Sequence, residues 1–297
     1  MNTRLHEATP ETVGMSSERL RKVANLAQSW VDQRLHPGLV VFAARRGTIV
    51  LHEAFGCLTS DPGAVPIPRD AIFPLTSLSK PVTATVAMIL VEEGLLGPNR
   101  PVSHYIPEFV GEGKEKVQVH HLLTHTSGLT EEDVDAQIKK KKGSVAIPPP
   151  DGTQYAGIHE KLFLAYDTPL TFAPGTEQRY CNFGVELLGD IVRRISGRSF
   201  AEFALERLFE PLGMKDSSYG LPEPVRHRVA KRPPDSPLAW IDGPDFQAIP
   251  SAYCGAYSTA MDMGILGQMY LNGGIYNDAR ILSPVTVAEM TRNQIPG

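Results

Sequence analysis

Ser77 and Lys80 are the pair of residues in this chain whose types and spacing best suit chemistry. A serine hydroxyl can attack a carbonyl carbon, and a neighbouring amine can activate it. Residues three apart share one face of a helix, so the two side chains can meet. Pro81 has no N–H to donate and favours a position near a helix start, which places the pair in or beside the first turn. The spacing therefore predicts a site for nucleophilic catalysis.

The start of a helix gives this predicted site an electrostatic bias. The helix dipole favours negative charge there, such as a developing alkoxide, and disfavours a protonated lysine. A lysine buried in such a place can lose its proton and act as a base. An ordinary capped helix is the alternative interpretation of Ser77-Leu78-Ser79-Lys80, because S-x-x-K matches also arise by chance.

Tyr180-Cys181-Asn182 offers a group that could return the proton to the leaving atom. A tyrosine can do this when positive charge nearby lowers its pKa. The tripeptide follows Pro174-Gly175-Thr176 and precedes a predicted helix, so it lies on a loop, where catalytic groups are commonly presented. The same spacing recurs at Tyr270-Leu271-Asn272, within a predicted helix, where it is interpreted as packing.

The elements that must position these residues are mostly helices. Hydrophobic spacing predicts a helix over 16–35, a β-hairpin from Leu39–Ala44 and Thr48–Ala54, and a buried helix from Ser77 to about Glu93. Further helices are predicted over Val117–Thr124, over Phe183–Ile195, after a capping box of Ser199 and Glu202, from Thr259 to Leu271, and after Ser283-Pro284. Residues 130–165 are predicted to be a long exposed excursion.

The predicted sheet is incomplete, because a two-stranded sheet is marginal even when helices pack on it. One hairpin and no later strand are visible, so we expect the remaining strands to lie beyond residue 297. Residues 1–75 are predicted to form the N-terminal part of an α/β region. Residues 76–254 are predicted to form a mainly helical region that carries S-x-x-K and Y-x-N. Residues 255–297 are predicted to be helices that return to the α/β region, which is truncated before its last strands.

Length, composition and charge narrow the classes of function. The chain has 297 residues, 42% of them hydrophobic and 21% charged, which is typical of a globular protein with one large core or two smaller ones. A net charge of -4 gives no attraction to nucleic acid or anionic membranes. No apolar leader and no apolar run of membrane-spanning length is visible, and three widely spaced cysteines argue against a disulfide framework. These features predict a cytoplasmic protein without a nucleic-acid or membrane partner.

Six segments, in this order, resemble the serine β-lactamase and penicillin-binding-protein superfamily. The most similar branch is the class C β-lactamase-like one, which also contains carboxylesterases and D-alanyl-D-alanine peptidases. The segments are SLSKPVTATVAMILVEEG (77–94), HHLLTHTSGL (120–129), APGTEQRYCNFGVELLG (173–189), FEPLGM (209–214), GAYSTAMDM (255–263) and ILSPVTVAEMTRNQ (281–294). S-x-x-K is a known signature of these acyl-transfer enzymes, and Y-x-N stands here in place of the S-D-N of class A enzymes. The resemblance implies an α and β fold of the β-lactamase/transpeptidase type, an antiparallel sheet flanked by helices plus an all-helical region.

The resemblance also implies roles for four residues. Ser77 would be the acylated nucleophile, Lys80 its activating neighbour, and Tyr180 the general base and acid. Asn182 would hydrogen-bond both Lys80 and the substrate. The backbone N–H of Ser77 would form one half of the oxyanion hole.

The other half of the oxyanion hole comes, in the family, from a K-T-G or H-x-G motif on a strand near the C-terminus. The candidates here are His36-Pro37-Gly38, before the predicted hairpin, and Lys141-Lys142-Gly143, inside a charged run. Neither is in the expected place, in keeping with the expected absence of the last strands. Loss of one oxyanion donor would lower the rate by about 10²–10³-fold.

Other motifs are interpreted as structural. His121 and His125 are four apart and could share a helix face as a metal pair, but no third ligand and no H-E-x-x-H is evident. Cys181 is interpreted as a packing residue rather than a reactive thiol, and Lys139–Lys142 as a solvated loop. No G-x-S-x-G elbow and no nucleotide-binding glycine pattern occurs, so no cofactor is implied.

The sequence thus predicts a serine hydrolase that works through an acyl-enzyme on a small-molecule ester or amide, with a carboxylesterase on small esters favoured. A cytoplasmic location disfavours the alternatives, a β-lactamase or a D-alanyl-D-alanine peptidase, because their substrates lie outside the inner membrane. The competing class is a non-catalytic or incomplete form of the same fold, which the lack of a K-T-G or H-x-G motif in its expected place favours. The sequence assigns no oligomeric state.

Overall fold

The computed structural model of the chain describes residues 4–295, which form two compact units. The first unit takes the chain up to Leu75, then Phe209–Ala248 and Tyr257–Val287; the second takes Thr76–Leu208, Ile249–Ala256 and the chain from Ala288 onward. Residues 209–248, which the sequence pattern places in the helical region, thus belong to the first unit. They do so because Leu221 and Val229 share a buried cluster with Ile72 and Tyr257.

The described residues contain eleven α-helices, and a π-helical turn at Leu205–Phe209 joins the seventh to the eighth. In chain order they are α1 (Ser17–Asp32), α2 (Ser79–Glu92), α3 (Val119–Leu123), α4 (Glu131–Lys141), α5 (Ala156–Ala165), α6 (Asn182–Ser196), α7 (Phe200–Ala204), α8 (Glu210–Leu212), α9 (Pro244–Ala248), α10 (Ala260–Leu271) and α11 (Pro284–Thr291). All the helices predicted from hydrophobic spacing are confirmed, with their ends within a few residues of the prediction. Both predicted N-caps also form, since Ser199 accepts the N–H of Glu202 and Thr259 accepts that of Asp262.

Eight strands occur in the same residues, and all but three of them are only two residues long. They are β1 (His6–Glu7), β2 (Gly38–Arg45), β3 (Thr48–Gly56), β4 (Phe73–Pro74), β5 (Ser218–Tyr219), β6 (Ala256–Ser258), β7 (Ile275–Tyr276) and β8 (Ala279–Arg280). They form sheets in the orders β1-β3-β2, β4-β6-β5 and β7-β8.

The predicted hairpin is confirmed as β2 and β3, which pair antiparallel from Gly38 opposite Gly56 to Arg45 opposite Thr48. The prediction that no strand follows the hairpin is wrong, because β4 to β8 all come later in the chain. Strands of two or three residues are too short to show an alternating hydrophobic pattern, so sequence periodicity cannot detect them.

The second unit is built around α2 and α6, which pack against each other. Val82, Val86 and Leu90 of α2 are fully or almost fully buried. They recur at helical spacing, so one side of α2 is fixed by apolar burial while its first turn stays open. Within residues 4–295, none of the helices combines the length and the apolarity needed to span a bilayer.

The prediction of an exposed excursion over 130–165 is wrong. This stretch contains α4 and α5, which pack against each other and bury Val134, Leu162 and Leu164. The lysine run is likewise the last turn of α4 rather than a loop, with Lys141 paired to Asp167 at 2.6 Å. Lysines at a helix C-terminus complement the helix dipole, which is why a charged run can end a helix here.

Candidate functional site

Ser77 lies in a 3₁₀ turn, Thr76–Leu78, that leads directly into α2. Thr76, just before it, has φ +47°, a conformation that residues other than glycine rarely adopt. Such backbone strain persists only where the surrounding structure holds it, and it is common at functional sites. The side chain of Ser77 is exposed. The turn therefore presents the hydroxyl outward at the N-terminal end of a buried helix.

Lys80 points its ammonium at Ser77 from the next turn of the chain. Its Nζ lies 3.0 Å from Ser77 Oγ and 3.2 Å from the carbonyl oxygen of Tyr253, and it donates to both. It also lies 4.8 Å from the ring centroid of Tyr180 and 5.4 Å from that of Tyr253. Aromatic faces attract a cation at these distances. Lys80 is thus fixed by one carbonyl and two rings, with a donor aimed at the serine.

Tyr180 is the second side chain that contacts Ser77 Oγ. The Tyr180 hydroxyl lies 2.8 Å from Ser77 Oγ, a hydrogen bond in which either oxygen can donate. The phenol is 52% exposed, so a substrate can reach it. The structure therefore places both Lys80 Nζ and the Tyr180 hydroxyl within hydrogen-bond distance of Ser77 Oγ.

Asn182, the fourth predicted residue, is placed differently. It is the first residue of α6, and its backbone N–H donates to Glu131 Oε2 at 2.7 Å. Glu131 in turn lies 3.9 Å from the Lys161 ammonium. Among residues 4–295, the Lys80 ammonium bonds to Ser77 and Tyr253, and the predicted hydrogen bond from Lys80 to Asn182 is not formed.

The Tyr253 carbonyl is the part of the site that the sequence did not reveal, because a backbone oxygen has no residue-type signature.

The segment Ile249–Ala256, which carries this carbonyl, is held against α2 and α6 by several hydrogen bonds. Thr83 donates to the carbonyl of Ala252 at 2.5 Å, and Ser79 Oγ accepts the N–H of Ala256 at 3.1 Å. Glu186 of α6 accepts the hydroxyl of Ser251 at 2.5 Å and the N–H of Ala252 at 3.3 Å. Burial raises the pKa of the Glu186 carboxyl.

A loop before α4 supports the segment that carries Tyr180. The carbonyls of His125, Thr126 and Gly128 accept the N–H groups of Arg179, Gly175 and Thr171 at 2.8–2.9 Å. Gly128 has φ +91°, and a Cβ added there would lie 2.4 Å from the carbonyl oxygen of Phe172. The H-T-S-G stretch of the sequence is therefore a backbone support for the Tyr180 segment.

The other residues singled out in the sequence, His121, His125 and Cys181, have structural rather than chemical contacts. His121 Nδ1 accepts the N–H of Gln118 at 3.0 Å, and His125 Nδ1 accepts that of Cys181 at 3.3 Å. The two histidines do not share a helix face, because α3 ends at Leu123. No group of three or more metal-ligating side chains occurs in the described part of the chain. Burial raises the pKa of the Cys181 thiol to about 11, so this cysteine stays protonated and unreactive at neutral pH.

Comparison with known proteins places the chain in a family. A family model described as Beta-lactamase matches residues 23–296. Esterase EstB of Burkholderia gladioli is 32% identical over 231 residues, which cover 75% of this chain and 57% of EstB. A putative D-alanyl-D-alanine carboxypeptidase of Escherichia coli K12 is 25% identical over 97% of this chain and 72% of its own length.

Solved structures show the same fold. A penicillin-binding protein homologue from Caulobacter crescentus superposes with a TM-score of 0.76 and 23% identity, covering 96% of this chain and 78% of that one. At 23% sequence identity, this similarity shows a shared fold and nothing about activity. The chain matches 57% of the length of EstB, a little over half. The activity of EstB is therefore carried over to this chain only as a proposal.

Proposed function

Since the chain belongs to the beta-lactamase family, we propose that it is a serine hydrolase that forms an acyl-enzyme, and specifically a carboxylesterase on small esters. The observation that carries the proposal is the position of Ser77 Oγ, 3.0 Å from Lys80 Nζ and 2.8 Å from the Tyr180 hydroxyl. A serine placed between a proton acceptor and a cation is an arrangement that can activate it as a nucleophile. The similarity to EstB supports the ester as substrate.

In the proposed acylation, Ser77 Oγ attacks the ester carbonyl carbon and Tyr180, as the general base, takes the serine proton. The C–O bond to the alcohol then breaks, and Tyr180 passes the same proton to the leaving alkoxide. Lys80 remains an ammonium and stabilises the negative charge that moves between the two oxygens. The Ser77 N–H, at the start of α2, is proposed as an oxyanion donor. Water repeats the sequence on the acyl-enzyme and releases the acid.

Asn182 is proposed to contact the substrate rather than Lys80. Its backbone is fixed to Glu131, while Lys80 already has acceptors in Ser77 and Tyr253. The amide group of Asn182 can therefore donate to an acyl-group oxygen without competing for the ammonium. An Asn182→Ala variant should raise KM more than it lowers kcat if this is its role.

A β-lactamase or D-alanyl-D-alanine peptidase is the second candidate. The similarity to the Escherichia coli protein over nearly the whole chain favours it. The three activities share the acyl-enzyme and differ in which acyl donor is accepted. Comparing hydrolysis of p-nitrophenyl esters with that of a chromogenic cephalosporin and of a D-alanyl-D-alanine peptide separates them. Turnover of the cephalosporin or peptide without the ester would overturn the esterase proposal.

The test of the enzyme class is covalent labelling. A fluorophosphonate probe, read by intact mass, should add one equivalent to the native protein and none to Ser77→Ala. Ser144→Ala, which changes an exposed serine of the same unit, should label like the native protein. A folded native sample that takes up no probe would instead support the non-catalytic alternative.

We also propose a cytoplasmic location. Its support is the free thiol state of Cys57, Cys181 and Cys254, which suits a reducing compartment. Fractionation of the native host, with the protein detected by antibody, tests it, and recovery in the periplasm or medium would contradict it.

A further inference from the structure

His125 contacts three consecutive residues centred on Tyr180. Its carbonyl oxygen accepts the N–H of Arg179 at 2.9 Å, and its Nδ1 accepts the N–H of Cys181 at 3.3 Å. Its ring lies against the Tyr180 ring, with centroids 4.7 Å apart and planes tilted by 38°. One side chain and its own backbone thus bind both neighbours of the tyrosine and one face of its ring.

The backbone of His125 is held in a conformation that serves these contacts. Its φ is +57°, in the left-handed region that non-glycine residues rarely adopt. The neighbouring hydrogen bonds, from Gly175 to Thr126 and from Thr171 to Gly128, hold the same loop in place. His125 is therefore the residue of this loop that contacts Tyr180 itself. The surrounding hydrogen bonds maintain its strained backbone conformation.

The hydrogen bond from Cys181 decides the tautomer of His125. A backbone N–H can only donate, so Nδ1 must carry a free lone pair and the ring proton must be on Nε2. Protonating Nδ1 would set two N–H groups against each other and break the bond. The Tyr180 ring packs against the His125 ring, and two charged groups, Lys80 of α2 and Glu131 of α4, interact with it electrostatically. Burial and the positive charge of Lys80 lower the pKa of His125, while Glu131 opposes them.

We propose that His125 is a positioning residue for Tyr180, and that only its neutral Nε2–H tautomer holds the phenol against Ser77. The inference deepens the proposed function and rests on it, because Tyr180 matters there as the acceptor of the serine proton. When acid protonates His125, the segment that carries Tyr180 is released at Cys181 and acylation of Ser77 slows. Displacement of a catalytic group by about 1 Å can cost on the order of 10²-fold in rate.

Two substitutions separate the acceptor from the ring. His125→Asn keeps an oxygen near the place of Nδ1, tolerates positive φ and does not titrate. His125→Phe keeps the ring and removes the acceptor. His121→Asn is the matched control, because His121 also accepts a backbone N–H, from Gln118, but its ring contacts His120 rather than Tyr180.

The measurement is the second-order rate of fluorophosphonate labelling of Ser77 from pH 5 to 8, with folding followed by circular dichroism. At pH 8 we expect His125→Phe to label about 10²-fold more slowly, while His125→Asn and His121→Asn stay near the native rate. In acid, the native protein and His121→Asn should lose rate through a transition that His125→Asn lacks. A folded His125→Phe that labels like the native protein would overturn the inference. So would an equal loss in His121→Asn, or an unchanged acid transition in His125→Asn.

A second readout keeps the inference independent of activity. If native protein does not label at Ser77, the proposed function fails, and nitrogen-15 NMR of the His125 imidazole, together with carbon-13 NMR of the tyrosine rings, still tests His125. We expect the Nε2–H tautomer, and Tyr180 ring signals that shift together with protonation of His125. A proton on Nδ1 at neutral pH, or Tyr180 signals that ignore the titration, would show that His125 does not position Tyr180.

Discussion

At the scale of single residues, Tyr180 and Tyr253 both face the Lys80 ammonium but contribute different atoms. Tyr180 uses its hydroxyl, which lies 2.8 Å from Ser77 Oγ. Tyr253 uses its backbone carbonyl, and its own hydroxyl lies 3.4 Å from Lys161 Nζ. Removing each hydroxyl in turn therefore compares a phenol that bonds to the Ser77 oxygen with one that lies near Lys80 but does not.

Removing the hydroxyl of Tyr180 should abolish most of the activity. In Tyr180→Phe no phenol oxygen can take the Ser77 proton, so kcat for a p-nitrophenyl ester should fall by about 10²–10⁴-fold with KM little changed. Tyr253→Phe keeps the carbonyl that holds Lys80 and should stay near the native kcat. Steady-state kinetics of the two variants gives the comparison. A Tyr180→Phe variant that keeps the native kcat would mean that Tyr180 acts through packing alone.

At the scale of elements, the site depends on two loops, one bonded to helices and the other to the segment that carries Tyr180. The 249–256 segment is bonded to α2 and α6, and the loop around Gly128 is bonded to the Tyr180 segment. These loops lack hydrophobic periodicity, so their order comes from hydrogen bonds to buried partners. A buried polar group that loses its partner costs about 1–3 kcal/mol.

Gly128→Ala should weaken the support beneath Tyr180. A Cβ there would meet the Phe172 carbonyl at 2.4 Å, at a residue with φ +91°. The expected loss in the free energy of unfolding is about 2–5 kcal/mol, the sum of left-handed strain and a backbone clash. Urea denaturation of the purified variants measures it.

Gly143→Ala is the control for that substitution. Gly143 also has positive φ, +77°, but nothing lies within 4 Å of the added Cβ. It should cost only the strain, about 1–2 kcal/mol. If the two variants unfold at the same urea concentration, the close approach of Gly128 to Phe172 does not stabilise the loop.

Ser79→Ala should destabilise the protein through the same segment. Ser79 is fully buried, and its Oγ accepts the N–H of Ala256, which alanine would leave without this acceptor. We expect a loss of about 1–3 kcal/mol in the free energy of unfolding, measured by urea denaturation. Ser79→Thr, which keeps a hydroxyl, should recover part of it, and a neutral Ser79→Ala would contradict the argument.

At the scale of the whole molecule, a buried cation makes stability depend on pH. Lys114 is 1% exposed, donates to the carbonyl of Tyr166 and lies 4.4 Å from the ring centroid of Phe109. Burial lowers its pKa from 10.5 to about 8. Between these values the unfolded chain binds more protons than the folded one, so this group's contribution to stability rises with pH.

Lys114→Met should remove that dependence. Below pH 8 the native protein carries the cost of a buried ammonium, and above pH 10.5 that cost is relieved. The free energy of unfolding of the native protein, relative to the variant, should therefore rise by up to about 3 kcal/mol across this window. Urea denaturation at a series of pH values measures the difference, in which other titrating groups cancel. A difference that is flat with pH would contradict the lowered pKa.

Much of this molecule follows from local sequence. The helices and the β2–β3 hairpin were predictable because their hydrophobic periodicity extends over many residues, and the caps at Ser199 and Thr259 because capping uses neighbours three apart. The helix α4 was missed because most of its residues are charged or polar and few apolar ones mark its buried side. The helix α5 is largely apolar, and it was missed because it is short and follows a stretch interrupted by Lys139–Lys142 and Pro148-Pro149-Pro150. The short later strands left no pattern at all.

At the site, too, some features were predictable from the sequence and others were not. Ser77, Lys80 and Tyr180 could be chosen from residue types and spacing, because a nucleophile, its activator and its proton acceptor need particular side chains, and Asn182 was implied by the resemblance to the family. Which atoms meet was decided only by the tertiary structure. The Tyr253 carbonyl at Lys80 and the His125 ring beneath Tyr180 join residues 173 and 55 positions apart. Such contacts depend on how distant segments are bonded together, and a backbone oxygen or a ring orientation carries no signature in the sequence.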